Sequence, residues 1–290
     1  ITQTIGAYEI VHAGKRITFI DTPGHEAFAK MRSRGATVAD LAILVVAADE
    51  GIKPQTQESI NTLNQTGTPF VVAITKMDKP NADIERIKNE LTTAGVLLEG
   101  YGGSISYQPV SAKSGENINE LLDLILLAAE MENLTYDPTA SATGYVIETR
   151  MDRRRGAEAT VIVKNGTLRQ GEAIATPTGK GKIKILEDFA GKATKALEPS
   201  APALILGFME LPSVGEEFVT GSVANAQPDK QEAEKSFRPN YPANRDEETL
   251  NLILKASDAG SLEALSGILK AMETEKPIKI VSELVGDVGD

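Results

Sequence analysis

Apolar residues in the first 135 positions fall into two alternating rhythms. Nearly continuous apolar runs stand at 41–48, 70–74 and 105–110, and stretches with helical spacing stand at 26–34, 55–64, 83–93 and 118–131. Continuous runs suit strands buried on both faces, so the alternation predicts a largely parallel sheet covered by helices. Ahead of it, 7–11 and 16–20 flank Ala13-Gly14 and predict a hairpin. The most regular helix is 118–131, with Ile118, Leu121, Leu122, Ile125 and Leu126 on one stripe. Asn117 reads as its N-cap, with Glu120 three residues on.

After Tyr136-Asp137-Pro138-Thr139 the rhythm changes. Short β runs follow at 144–149, 158–163, 172–175, 183–186, 203–207 and 217–219. Asn165-Gly166, Gln170-Gly171, Thr178-Gly179 and Pro212 punctuate them, and no helix-length pattern intervenes. A small antiparallel barrel is expected. Polar residues then dominate around Pro228, Pro239 and Pro242, which reads as a linker. A strand–helix–strand pattern restarts over 250–255, 261–272 and 278–281. One such unit buries little by itself, so the chain is expected to stop inside a third domain. The organisation is therefore multidomain: a partial α/β domain over 1–137, a β-barrel over 138–226, a linker over 227–249 and the start of a third α/β domain over 250–290.

The 290 residues suffice for such a division. With no Cys and only His12 and His25, the chain excludes disulfide scaffolds, thiolate chemistry and multi-histidine metal centres. The longest apolar run, 41–48, is too short to span a bilayer, and no secretion signal opens the sequence; a cytoplasmic protein without membrane contact is expected. The net charge of −11 argues against non-specific nucleic-acid binding by the chain as a whole. That average hides a split: net −7 over 1–139, +5 over 140–195 and −9 over 196–290. The expected barrel is thus basic between acidic neighbours, with Arg150, Arg153, Arg154 and Arg155 as candidate RNA-phosphate contacts. The same run also reads as a solvated turn.

Candidate chemistry gathers just after predicted strands, at the end of a parallel strand where ligands bind. Asp21-Thr22-Pro23-Gly24-His25 follows 16–20. Its Asp can hold a hydrated Mg²⁺, and Gly24, opening a helix, lets a backbone N–H approach a phosphate oxygen. A plain turn with an N-cap is the alternative. Thr75-Lys76-Met77-Asp78 follows 70–74. A carboxylate there can accept from guanine N1–H and the 2-amino group, a donor pair adenine lacks, while the Lys76 stem lies along the ring. Ser111-Ala112-Lys113 follows 105–110, and its small residues let a backbone N–H reach the guanine carbonyl.

In order and spacing these three segments closely resemble the third, fourth and fifth motifs of GTP-binding proteins. His directly after Asp-Thr-Pro-Gly resembles the translational GTPases. The opening Ile1-Thr2-Gln3-Thr4-Ile5-Gly6-Ala7-Tyr8, then Asp49-Glu50-Gly51-Ile52-Lys53-Pro54-Gln55-Thr56, the barrel stretch through Asn165-Gly166-Thr167-Leu168-Arg169-Gln170-Gly171 and Ala259-Gly260-Ser261 resemble the bacterial initiation factor 2 family. The resemblance covers nearly the whole chain. It implies a GTPase that binds GTP and GDP with Mg²⁺ and acts on both ribosomal subunits and their RNA during initiation-complex formation and subunit joining. Thr2 would ligate Mg²⁺ and sense the γ-phosphate. Asp21 would hold Mg²⁺ through water, the Gly24 amide would contact the γ-phosphate, and His25 would position the attacking water. Initiator tRNA would be met by a module beyond Asp290, and a monomer is expected.

Two departures stand out. Thr75 occupies a position where the family usually has Asn, which removes an amide that would brace the base loops. No G-x-x-x-x-G-K-[ST] occurs in these residues, so the reading is a truncated G domain whose phosphate loop lies upstream. In the fold resembled, the strand feeding that loop lies between 16–20 and 41–48. Its absence predicts either unpaired edges on those two strands or their direct pairing. A non-enzymatic ribosome- or RNA-binding module built on the barrel, and another translational GTPase such as an elongation factor, are the alternative readings.

Overall fold

The structure, a computed structural model, describes residues 6–23, 29–226, 249–272, 274 and 276–286. They form two compact units, Gly24–Thr135 and the combination of Ile1–Pro23 with Tyr136–Asp290.

The chain opens with β1 (Gly6–His12) and β2 (Lys15–Asp21), an antiparallel hairpin registered from Gly6 opposite Asp21 to His12 opposite Lys15. Ala13 and Gly14 turn it with φ of 48° and 76°, the double left-handed turn that matches strand twist. Tyr8 and Phe19 stack across it at 5.3 Å. A lone hairpin is marginal in water. This one lies on the barrel of its unit, where Thr18 Oγ1 donates to Ser200 O (2.6 Å) and Arg16 pairs with Glu198 (3.1 Å).

The second unit holds α1 (Ala29–Val38), β3 (Ala42–Ala47), α2 (Pro54–Thr66), β4 (Phe70–Thr75), α3 (Ile84–Thr93), β5 (Tyr107–Pro109) and α4 (Ile118–Met131). The sheet is parallel in order β3-β4-β5, with Ala47 level with Thr75 and Ile74 level with Pro109. Leu44, Val46, Val72 and Ile74 pack against Ile60 and Leu63 of α2 and Ile87 and Leu91 of α3. The strand expected over 105–110 is only three residues long. Ile105 is taken by a tight loop, its N–H bonded to Leu97 O and its carbonyl to Glu99 N.

Asn117 sits at the N-cap position of α4 but does not cap it. Its backbone is left-handed (φ 56°), and its Nδ2 donates to Pro109 O at 2.9 Å, tying the loop back to the sheet. The predicted stripe of α4 faces the sheet, yet only Ile125 is fully buried. Among the described residues β2 pairs with β1 alone and β3 with β4 alone. Each has one edge without ladder bonds among the described residues.

The barrel closes through β6 (Thr143–Asp152), β7 (Gly156–Asn165), β9 (Ala173–Ala175), β10 (Lys180–Asp188), β12 (Pro202–Phe208) and β13 (Glu217–Thr220), in order β10-β12-β7-β6-β13-β9. A two-residue pair, β8 (Leu168–Arg169) with β11 (Ala196–Leu197), sits beside it, and α5 (Gly221–Ala226) follows β13. Phe218, Leu168, Ile174, Ile183, Leu186 and Ile205 fill its interior. Gly144 is required there: a Cβ would stand 1.9 Å from Ile162 O. Finally β14 (Leu250–Ala256) and β15 (Ile278–Val285) pair in parallel around α6 (Ala259–Ala271), whose N-cap is Asp258. No helix among the described residues is long and apolar enough to cross a membrane.

Candidate functional site

Because β3, β4 and β5 end level, the three loops that follow them share the carboxyl edge of one sheet. The loop after β5 is closed on itself: Ser111 N donates to Glu116 O (3.1 Å) and Gly115 N to Ser111 O (2.9 Å). The loop after β4 is tied to it through Met77 N and Val110 O (3.3 Å). These bonds bring Asp78 to Ser111, whose buried hydroxyl donates to Asp78 Oδ1 at 2.7 Å. That hydrogen bond is the main reason the Asp78 carboxyl lies below its ordinary range, so it is an anion at neutral pH. Oδ1 is engaged and the carboxylate is otherwise exposed. Beside it, Ala112 and Lys113 are exposed, and their backbone N–H groups carry no hydrogen bond among the described residues. An anionic acceptor thus stands next to vacant backbone donors, the complement of a base edge that offers two N–H groups and a carbonyl.

Thr75 ends β4 half-buried, and its hydroxyl turns back to Val46 O (3.4 Å), within its own sheet. Lys76 has a left-handed backbone (φ 61°). Its ammonium reaches Glu50 Oε1 at 2.5 Å and Asp49 Oδ1 at 3.3 Å, and the Glu50 hydrogen bond raises it above the ordinary lysine range.

Sequence reasoning missed this acidic pair and its supports. Arg86 of α3 donates to the carbonyls of Ala48 (3.1 Å) and Asp49 (3.3 Å), and Glu90 accepts from Ile52 N (2.9 Å). The available signal was the place of Asp49-Glu50-Gly51, directly after a predicted strand like the other two loops.

Asp21 is the exposed last residue of β2 and belongs to the compact unit that contains the barrel, not to the unit that carries the loops after β4 and β5. Thr2, Gly24 and His25 lie outside the described residues. In the barrel, the arginine run divides. Arg150 and Arg155 flank the fully buried carboxylate of Glu158, Arg150 by a short hydrogen bond and Arg155 at 3.1 Å, and Arg155 also meets Glu187 at 2.8 Å. These two guanidinium groups balance internal charge. Arg153 and Arg154 are exposed at the β6–β7 turn, where Asp152 accepts from Arg154 N (2.7 Å).

Comparison with known proteins joins these parts. The Elongation factor Tu GTP binding domain family matches residues 1–131, the Elongation factor G domain 2 family 141–221 and the Translation-initiation factor 2 family 224–290. Translation initiation factor IF-2 of Rubrobacter xylanophilus is 43% identical over 100% of this chain, and that of Aquifex aeolicus 40% over 99%. The chain spans 44% and 38% of the lengths of these relatives. Among solved structures, GDP-bound aIF5B from Aeropyrum pernix aligns with 97% of this chain and 58% of its own, at 25% identity and a TM-score of 0.62. Elongation factor SelB from Methanococcus maripaludis, in complex with the GTP analogue GppNHp, covers 77% of this chain and 50% of its own at 23% identity and a TM-score of 0.61, a likeness of fold. Three family matches in series, with 40–43% identity along its whole length, make this chain a member of the translation initiation factor IF-2 family.

Proposed function

We propose that the protein carrying these residues is a translation initiation GTPase, binding and hydrolysing GTP on the ribosome during initiation-complex formation and subunit joining. The observation that carries this reading is the Asp78 carboxylate, held by Ser111 beside the open backbone donors of Ala112 and Lys113. Asp78 would accept from the two guanine donors, the 112–113 amides would meet the guanine carbonyl, and Thr75 and Lys76 would border the ring. With adenine in place, both carboxylate contacts and the carbonyl-directed donors would be left unmatched.

Phosphoryl transfer asks a protein for position and charge more than for covalent chemistry. Family membership supports giving the Mg²⁺ and γ-phosphate roles to Thr2, Asp21 and Gly24, and the positioning of the attacking water to His25. Nucleotide-bound Mg²⁺ needs only one or two protein oxygens, and Asp21 and Thr2 are oxygen donors of that kind; the ion would neutralise phosphate charge. Arg153 and Arg154 are the barrel residues proposed to meet ribosomal RNA phosphates. Initiator tRNA is proposed to bind elsewhere in the protein, which would act as a cytoplasmic monomer.

The test uses the protein as encoded, with any sequence flanking these 290 residues. Asp78→Asn turns one acceptor at the base edge into a donor and should weaken GTP binding on the order of 10²-fold or more. Fluorescent-nucleotide titration measures it, and unchanged affinity would remove the guanine assignment.

A further inference from the structure

The cation of the base loops is held from a direction the sequence motif does not announce. Asp49 and Glu50 stand on the turn directly after β3, and both carboxylates meet the Lys76 ammonium. Asp49 has a side chain only 14% exposed, and its Oδ1 is buried without a hydrogen bond. A buried carboxylate oxygen in that state depends on a neighbouring cation, so Asp49 constrains where Lys76 can go. Glu50 is half-exposed and adds a direct hydrogen bond.

The turn that carries this pair is itself fixed from α3. Arg86 binds the carbonyls of Ala48 and Asp49, and Glu90 takes the Ile52 N–H. Glu90 reaches in because residue 51 is glycine: φ is 81°, and a Cβ would stand 2.3 Å from Glu90 Oε2. Lys76, in turn, leaves the sheet with a left-handed backbone that non-glycine residues rarely adopt, so its side chain starts in a direction the strand would not give it. The residue before it offers no alternative support, since the Thr75 hydroxyl is turned to Val46 O.

We propose that Asp49 and Glu50 are positioning residues of the guanine site: anchored by Arg86 and Glu90, they clamp the Lys76 ammonium and so set its stem beside the base that Asp78 reads. This rests on the guanine reading of Asp78. Neither carboxylate touches the nucleotide. Their effect is to order a long side chain before the ligand arrives, which spares the binding step that entropy.

The experiment compares GDP affinity, by fluorescent-nucleotide titration, in the protein as encoded and in four variants: Asp49→Asn/Glu50→Gln, Glu50→Gln alone, Glu50→Asp and Asp78→Asn. The double variant should bind GDP about tenfold more weakly and Glu50→Gln about threefold more weakly, while Glu50→Asp, which keeps the charge, recovers most of the loss. Glu50→Gln changes a half-exposed side chain and keeps the fold should the double variant fail to fold. A ¹⁵N spectrum of the lysine ammonium groups supplies a signature that a general loss of stability would not: the Lys76 resonance should be sharp in the parent and broaden in Glu50→Gln. Unchanged affinity in Glu50→Gln and the double variant, with a large loss in Asp78→Asn, would overturn the clamp and leave the guanine reading standing. Tighter binding in Glu50→Gln would also overturn it, because the carboxylates would then be sequestering Lys76. No loss in Asp78→Asn would overturn both.

Discussion

The barrel and the three-stranded sheet handle the same problem, the backbone edge, in opposite ways. Six strands of the barrel close on one another, so each has a partner on both sides, and the interior side chains of Val146, Val161, Val163 and Phe218 are fully buried. The parallel sheet is open: β3 pairs on one side only among the described residues, and its Val45 is 59% exposed while Leu44 and Val46 beside it are buried. Charge follows the same division. Glu158 in the barrel is enclosed and matched by two arginines, whereas Asp78 at the sheet edge is held by one serine and faces outward. The closed barrel leaves its buried charge matched from within, whereas the carboxyl edge of the open sheet leaves the Asp78 carboxylate and the 112–113 amides facing outward.

The largest effect that should sharpen this contrast lies in the barrel core. Phe218 is among the largest fully buried side chains and meets the wall formed around Gly144. Phe218→Ala should cost about 3–5 kcal/mol, by lost transfer energy and the cavity left behind. Denaturant unfolding measures it; a cost below 1 kcal/mol would mean the barrel interior is not the close-packed core described.

A middle-sized effect is expected where the barrel meets α6. Glu148 is buried, which together with the nearby Asp258 charge lifts its carboxyl to about 7, although it accepts from Thr149 N at 3.0 Å. The folded chain therefore holds a proton between the ordinary value of 4.5 and about 7 that the unfolded chain releases. Stability from this group is full below 4.5, falls as pH rises through that window and stays low above it. Glu148→Gln should remove the dependence, raising stability by about 1–3 kcal/mol at pH 8 and leaving it unchanged near pH 4. Melting temperatures of parent and variant across that range check it, and parallel curves would refute the burial argument.

The smallest effect should come from the open face of β3. Val45→Ser alters an exposed strand position and should change stability by no more than about 0.5 kcal/mol. A loss near that of a core residue would show that Val45 is covered in the working protein.

Much of the architecture was legible in the chain because it depends on local pattern. The apolar periods placed α4 at its observed bounds and the barrel strands and the 250–285 unit within one to four residues, and Ala13-Gly14 marked its turn, because side-chain spacing and backbone preference act over a few residues. The order of the Asp78 and Ser111 segments after successive strands was likewise readable, since parallel strands put such loops on one edge.

Tertiary structure decided what spacing does not encode. Asn117 looked like a cap by position, yet its amide serves Pro109 across the loop, and the run at 105–110 became a three-residue strand whose first expected residue, Ile105, bonds to Leu97 and Glu99 instead. Arg150 and Arg155 read as part of an RNA-contact or solvated run, and only the fold placed the buried Glu158 carboxylate between their exposed guanidinium groups. Lys76 read as a base neighbour, and only the fold brought Asp49 and Glu50, 26 and more residues away, to its ammonium. In each case the partner is chosen by distance in space, and the energy of a hydrogen bond or ion pair depends on that distance and on the burial around it, neither of which a one-dimensional pattern carries.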